Sequence, residues 1–126
     1  MKLRLLLLTL IAFVLLMDGG RSSLAGAVGG PKKFNLRIPY LDYKRTKIEF
    51  EGGKEARIDV YSYSCGAMQV NTSEPKYVTI TRLEDDGEGC HGFVTFTPKE
   101  TAVFLIDTFN NDKNWPRTED FHLETN

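Results

Sequence analysis

The chain has 126 residues, of which 16 are lysine or arginine and 17 are aspartate or glutamate, giving a formal net charge of −1. Basic residues never occur in runs longer than two, which argues against nucleic acid or anionic lipid as a partner. This length provides for one domain and excludes a second of ordinary size.

The first 27 residues are typical of a secretory signal peptide. Lys2 and Arg4 give a basic start, residues 5–16 form an apolar run interrupted by Thr9, and Ala25 and Ala27 supply the small side chains that signal peptidase requires. A run of 12 residues is too short to cross a hydrocarbon layer of about 30 Å. We therefore predict a secreted or periplasmic protein, cleaved near Ala27, with no membrane span in the mature chain.

Removing 27 of the 126 residues leaves 99, with 13 basic and 16 acidic side chains. The segment 28–45 is predicted to contain one strand, because apolar residues alternate with polar ones from Phe34 to Tyr40. Residues 46–126 are predicted to form the main domain.

Apolar residues recur at every second position in the main domain, which is the period of a strand with one face in solvent. The predicted strands cover residues 48–50, 55–60, 77–83, 92–97, 102–109 and 121–123. Glycine, proline and asparagine clusters separate them, and no segment has a helical period. The sequence therefore predicts an all-β fold, an antiparallel β-sandwich or jelly roll of about seven to eight short strands.

Cys65 and Cys90 are the two cysteines of the chain. In an oxidising compartment such a pair indicates a disulfide, whose loop of roughly 25 residues would stabilise the fold by about 3–4 kcal/mol. The alternatives are two free thiols or a metal ion bound by the two cysteines. Two thiolates do not complete a zinc site, and the histidines lack ligand spacing, so we expect no metal or other cofactor.

Three aromatic residues are candidate ligand contacts. Tyr61 and Tyr63 are out of phase with the apolar positions of their strand, which places them on the outward face. Trp115 lies in a loop before a proline. Exposed aromatic rings beside polar groups suit flat ligands such as sugars, although the same rings could instead pack beneath a loop.

An acidic cluster of Glu84, Asp85, Asp86 and Glu88 is a candidate calcium site, since carboxylate oxygens are the ligands of that ion. Its spacing does not match an EF-hand, and a solvated turn around Gly87 is the alternative. Asn71 begins an Asn-Thr-Ser acceptor sequence for N-glycosylation.

No catalytic constellation is recognisable in the sequence. The serines lack a nucleophile-elbow pattern, and Cys90 and His91 are neighbours that a strand would point to opposite faces. We therefore name no catalytic residue and predict that the protein is not an enzyme.

Residues 50–60, FEGGKEARIDV, resemble the opening F-x-G-G-x-x-A-x-V/I-x-V of bacterial pre-peptidase C-terminal-like domains. Cys90, residues 93–98, Thr101 and residues 104–106 resemble a later stretch of that family, and residues 121–126 resemble its last strand. The resemblance spans residues 46–126 and implies a secreted β-sandwich that accompanies a peptidase without catalysis of its own. Residues 66–71, GAMQVN, stand where the family has an aspartate-rich segment.

Together these observations predict a secreted, non-catalytic accessory or binding domain whose ligand is an extracellular polymer, such as a polysaccharide, or a protein. The alternative is a structural or interaction protein that docks a separately encoded partner. A hydrolase is the third alternative.

Overall fold

The computed structural model describes residues 26–83 and 89–126, which form two antiparallel sheets packed face to face without a helix. The predicted all-β sandwich is therefore confirmed. The described residues contain nine strands: β1 (Lys33–Ile38), β2 (Tyr43–Phe50), β3 (Ala56–Ser62), β4 (Ala67–Val70), β5 (Lys76–Thr79), β6 (Thr81–Arg82), β7 (Cys90–Phe96), β8 (Ala102–Phe109) and β9 (Glu119–Thr125).

The five-stranded sheet has the order β1-β9-β3-β7-β6, and the four-stranded sheet has the order β2-β8-β4-β5. Alternation along each strand places one set of side chains between the sheets. In β3, Ile58 and Val60 are fully buried while Tyr61 is exposed. The inner faces of both sheets meet in one core, whose largest fully buried side chains include Phe50, Phe121, Ile38, Ile58, Met68, Ile80, Ile106 and Leu123.

The strand predicted over residues 77–83 is divided between the two sheets. β5 pairs with β4 in one sheet, β6 pairs with β7 in the other, and Ile80 is buried at the crossing between them. The backbone N–H of Ile80 donates to the carbonyl of Gly66 at 2.9 Å, which fixes the crossing point. This division, together with the short strand β4, accounts for nine strands where seven to eight were predicted.

The segment 28–45 is part of the sandwich. β1 pairs with β9 along its whole length, from Lys33 opposite Glu124 to Ile38 opposite Glu119. β2 begins at Tyr43, so its first residues precede the predicted domain boundary at 46. Between β1 and β2 the chain turns through Leu41, whose φ of 62° is unusual for a branched side chain.

The predicted disulfide between Cys65 and Cys90 is present, with a Cα–Cα distance of 5.3 Å. It joins the connection after β3 to the start of β7. The buried carboxylate of Asp112 holds the same region, because it accepts hydrogen bonds from the backbone N–H groups of Cys65 at 2.9 Å and Asn114 at 3.0 Å. Residues 26–83 and 89–126 include no helix long and apolar enough to span a membrane.

Candidate functional site

The outward face of the five-stranded sheet carries a continuous row of aromatic and charged side chains. We call the row formed by Arg57, Asp59, Tyr61, His91 and Phe93 the aromatic face. β3 contributes Arg57, Asp59 and Tyr61, and the adjacent β7 contributes His91 and Phe93. Tyr61 is 38% exposed and Phe93 48% exposed, so the row is open to solvent.

The planar groups of the aromatic face are packed against one another. Tyr61 lies directly opposite His91, and the two rings stack with centroids 4.5 Å apart and planes 7° apart. The ring of His91 is followed by that of Phe93 at 6.1 Å, and the guanidinium of Arg57 covers the Phe93 ring at 4.1 Å. Such packing holds the rings in one arrangement before any ligand arrives, which reduces the entropy lost on binding.

Asp59 holds the polar groups of the aromatic face together. Its carboxylate accepts two hydrogen bonds from Arg57, at 2.9 and 3.0 Å, and one from Nε2 of His91 at 2.8 Å. Burial opposes the ionisation of Asp59, but the hydrogen bonds and charges of Arg57 and His91 together outweigh it. The pKa of Asp59 therefore lies below its ordinary value of 3.8.

A second set of polar groups continues the face toward β9 and β1. His122 lies opposite Tyr61 on the other side, with ring centroids 6.4 Å apart. Its Nε2 is 2.9 Å from the carboxylate of Glu124, and its Nδ1 is 2.7 Å from Oδ1 of Asn35. Both histidines of the chain thus flank Tyr61 on this surface.

The hydroxyl of Tyr61 stays protonated well into the alkaline range. Partial burial raises the pKa of Tyr61, and the neighbouring carboxylates of Asp59 and Glu124 raise it further. A neutral phenol can both donate and accept a hydrogen bond. The aromatic face therefore offers exposed ring edges, a hydroxyl and guanidinium N–H groups on one side of the sheet.

Tyr63 and Trp115 come together at one end of this sheet. Their rings lie 4.9 Å apart, and the guanidinium of Arg117 lies 4.7 Å above the Trp115 ring. The indole Nε1 of Trp115 donates to the carboxylate of Glu119. Of the three predicted contact residues, two therefore share one cluster, while Tyr61 belongs to the aromatic face.

His91 and Phe93 were not predicted to contact a ligand. Arg57 and Asp59 were not named as contacts either, although alternation places them on the same outward face as Tyr61. Their outward position follows from strand alternation, but their proximity depends on the register that sets Asp59 opposite Phe93 and Tyr61 opposite His91. Local alternation carries no information on that register. The predicted strand covers residues 92–97, so it includes Phe93 but begins after His91, which the structure places in β7.

The Asp59–His91 pair resembles part of a hydrolytic triad. Within the described residues, however, no hydrogen bond joins either side chain to a serine, threonine or cysteine side chain that could act as the nucleophile. Thr81 lies opposite His91, yet its hydroxyl donates to the backbone carbonyl of His91 at 3.4 Å. Within residues 26–83 and 89–126, no group of three His, Cys, Asp or Glu side chains could hold a metal ion. The predicted calcium ligands Glu84, Asp85, Asp86 and Glu88 lie outside the described residues.

A cleft of about 520 Å³ opens beside the β4–β5 turn, between it and the β7–β8 connection. Phe96 and Phe104 line its apolar part, and the rest is lined by Thr72, Ser73, Glu74, Lys76, Thr97, Pro98, Lys99, Glu100 and Ala102. Asn71 is exposed beside this cleft, and its backbone N–H donates a hydrogen bond to the carbonyl of Leu105 at 3.0 Å. The Asn-Thr-Ser acceptor sequence thus lies on an accessible turn.

No protein-family model matches the chain, and no curated protein is significantly similar to it.

Proposed function

We propose that this protein is an exported, non-catalytic binding domain whose aromatic face contacts an uncharged extracellular polysaccharide. The observation that carries the proposal is the stacked row of Tyr61, His91 and Phe93, which is open to solvent and fixed by Arg57 and Asp59. Sugar rings present C–H groups and hydroxyls. Because its rings stack on one another, the aromatic face presents the exposed edges of Tyr61 and Phe93 beside hydrogen-bonding groups, which suit the C–H groups and hydroxyls of a sugar.

The charge pattern favours an uncharged ligand. Arg57 is paired with Asp59, and two further ion pairs on the same sheet surface join Lys33 to Glu124 at 3.8 Å and Arg37 to Asp120 at 3.3 Å. Because positive and negative groups neutralise one another, the surface does not select strongly for a polymer of either charge. A flat surface also suits an extended chain better than a small molecule, which usually binds in a cavity.

The leader and the disulfide support the proposal that the protein acts outside the cytoplasm. The leader-like first 27 residues imply export, and the Cys65–Cys90 disulfide is compatible with an oxidising compartment. The resemblance of residues 46–126 to pre-peptidase C-terminal-like domains supports a non-catalytic accessory role.

The proposal is tested by retention of the protein on insoluble polysaccharides such as cellulose, chitin and xylan. We expect the protein to be retained on at least one of them, and Tyr61→Ala or Phe93→Ala to weaken the apparent affinity at least tenfold, which corresponds to about 1.4 kcal/mol. Tyr77→Ala is the matched control, because Tyr77 is a tyrosine 63% exposed on the four-stranded sheet.

Thermal unfolding of each variant shows whether the domain remains folded. If no polysaccharide retains the wild-type protein, or if Tyr61→Ala and Phe93→Ala bind as tightly as Tyr77→Ala, the proposal is wrong. Tyr63→Ala and Trp115→Ala report separately on the second aromatic cluster. If only those variants lose binding, the polysaccharide contacts the Trp115 end rather than the aromatic face.

A further inference from the structure

Gly26 and Ala27 are integral parts of the folded domain. Ala27 is 1% exposed and belongs to the core, where it forms a bridge with Phe50 of β2. The backbone N–H of Glu51 donates to the carbonyl of Gly26 at 2.8 Å, and the N–H of Ala27 donates to the carbonyl of Asn126 at 3.2 Å. These two residues therefore connect the end of β2 to the chain beyond β9.

The contacts at Gly26 are too close for any larger residue. A Cβ atom there would lie 2.7 Å from Oδ1 of Asn126, 2.8 Å from the carbonyl oxygen of Glu55 and 2.9 Å from Cα of Ala56. Asn126 is itself fixed, since it accepts a hydrogen bond from the N–H of Arg57 and donates one to the carbonyl of Glu55, both at 2.8 Å. Gly26 thus fills a site shaped for glycine between β3 and the end of the chain.

Cleavage after Ala27 would remove both residues and their contacts. The backbone N–H of Glu51 would lose its acceptor, and the site of the Ala27 methyl group in the core would be left empty. The sequence offers a second pair of small residues at the positions that signal peptidase reads. Ser23 and Ala25 occupy positions −3 and −1 of the bond between residues 25 and 26.

We propose that signal peptidase hydrolyses the Ala25–Gly26 bond, so that the mature chain begins at Gly26. Water adds across the peptide bond, leaving the carboxylate on Ala25 and the α-ammonium on Gly26. The proposal rests on export of the chain, which is part of the proposed function. It adds that the position of the cut preserves the contacts made by Gly26 and Ala27.

The test is the N-terminal residue of the protein exported from cells that express all 126 residues, read by Edman sequencing and intact mass. The expected mature chain starts at Gly26. A chain that starts at Val28 or at any other residue, or that keeps its leader, would overturn the proposal. This result is independent of polysaccharide binding, so failure of one proposal is distinguishable from failure of the other.

A second measurement tests the structural reason for the cut. Chains that start at Gly26 and at Val28 are compared by thermal unfolding, and the shorter one is expected to unfold at least roughly 5 °C lower. Equal unfolding temperatures would show that Gly26 and Ala27 do not stabilise the domain and would remove the basis of the proposal.

Discussion

Asp59 is the residue at which the stability of the domain and the order of its aromatic face are linked. Its carboxylate joins Arg57, from the same strand, to His91, from the neighbouring strand. Because the folded state lowers the pKa of Asp59, the folded protein holds this proton less tightly than the unfolded chain does. The stabilisation is therefore complete above the ordinary value of 3.8 and is lost as the pH falls below it.

Asp59→Asn is expected to lower the free energy of unfolding by about 1 kcal/mol at pH 7, a value reduced because Arg57 is partly exposed. Near pH 3 the difference between the variant and the wild type should shrink, because the wild-type carboxyl is then becoming protonated. Urea unfolding at pH 7, 5, 4 and 3 measures both effects.

Asp120→Asn is the control, since Asp120 also pairs with an arginine but is 72% exposed. It should change the stability little at any of these pH values. A difference between Asp59→Asn and wild type that stays constant from pH 7 to pH 3 would contradict the assigned ionisation.

Alternation predicts which way a side chain points but not what it contacts on the neighbouring strand. The outward positions of Tyr61 and Tyr63 follow from alternation with Ile58 and Val60, which are fully buried. The stacking of Tyr61 on His91 does not follow from alternation, because it depends on the register that sets β3 against β7, a strand distant in the sequence.

At the scale of elements, the least predictable feature is the crossing at Ile80. Val78 and Ile80 alternate with polar residues and no turn residue interrupts residues 77–83, so a single strand was the natural prediction. Alternation records which side of a strand is buried but not which neighbour it pairs with. Val78 of β5 packs against the core and Ile80 is buried in it, whereas Thr81 and Arg82, the two residues of β6, are exposed in the other sheet.

Gly66 accepts the hydrogen bond from Ile80 at this crossing and also lies in close contact with β8, and its replacement tests that close contact. A Cβ atom at Gly66 would lie 2.2 Å from the carbonyl oxygen of Phe109 and 3.3 Å from the ring of Phe121. Gly66→Ala is therefore expected to destabilise the domain by about 2 kcal/mol or more, which lowers Tm by roughly 10 °C. Differential scanning calorimetry provides the measurement.

Gly89→Ala is the matched control, because its Cβ atom would meet its nearest neighbour, the carbonyl oxygen of Ser62, at an ordinary 3.7 Å. That variant should unfold within a few degrees of the wild type. Equal losses in the two variants would mean that the close approach of β8 to Gly66 is not the cause.

At the scale of the whole molecule, the fold class was predictable because alternation, turn residues and the cysteine pair all indicated the same small sandwich. The disulfide ties β7, through Cys90, to the connection between β3 and β4, and it closes a loop across a sequence separation of 25. Removing this constraint by the double change Cys65→Ala and Cys90→Ala should cost about 3–4 kcal/mol and lower Tm by well over ~10 °C.

Reductant should lower the Tm of the wild type in the same way and leave that of the double variant unchanged. Thiol titration of the denatured, unreduced wild-type protein should detect no free thiol. Two free thiols would contradict the disulfide and, with it, this source of stability.

NMR of the isotope-labelled protein shows whether the aromatic face is the ligand-binding surface. The labelled protein is titrated with a soluble oligosaccharide that has the same sugar units as the polysaccharide on which the protein is retained. We expect chemical-shift changes to concentrate on the ring signals of Tyr61, His91 and Phe93, with smaller changes at His122. Changes confined to Tyr77, to the cleft lined by Phe96 and Phe104, or to the Trp115 cluster would contradict it.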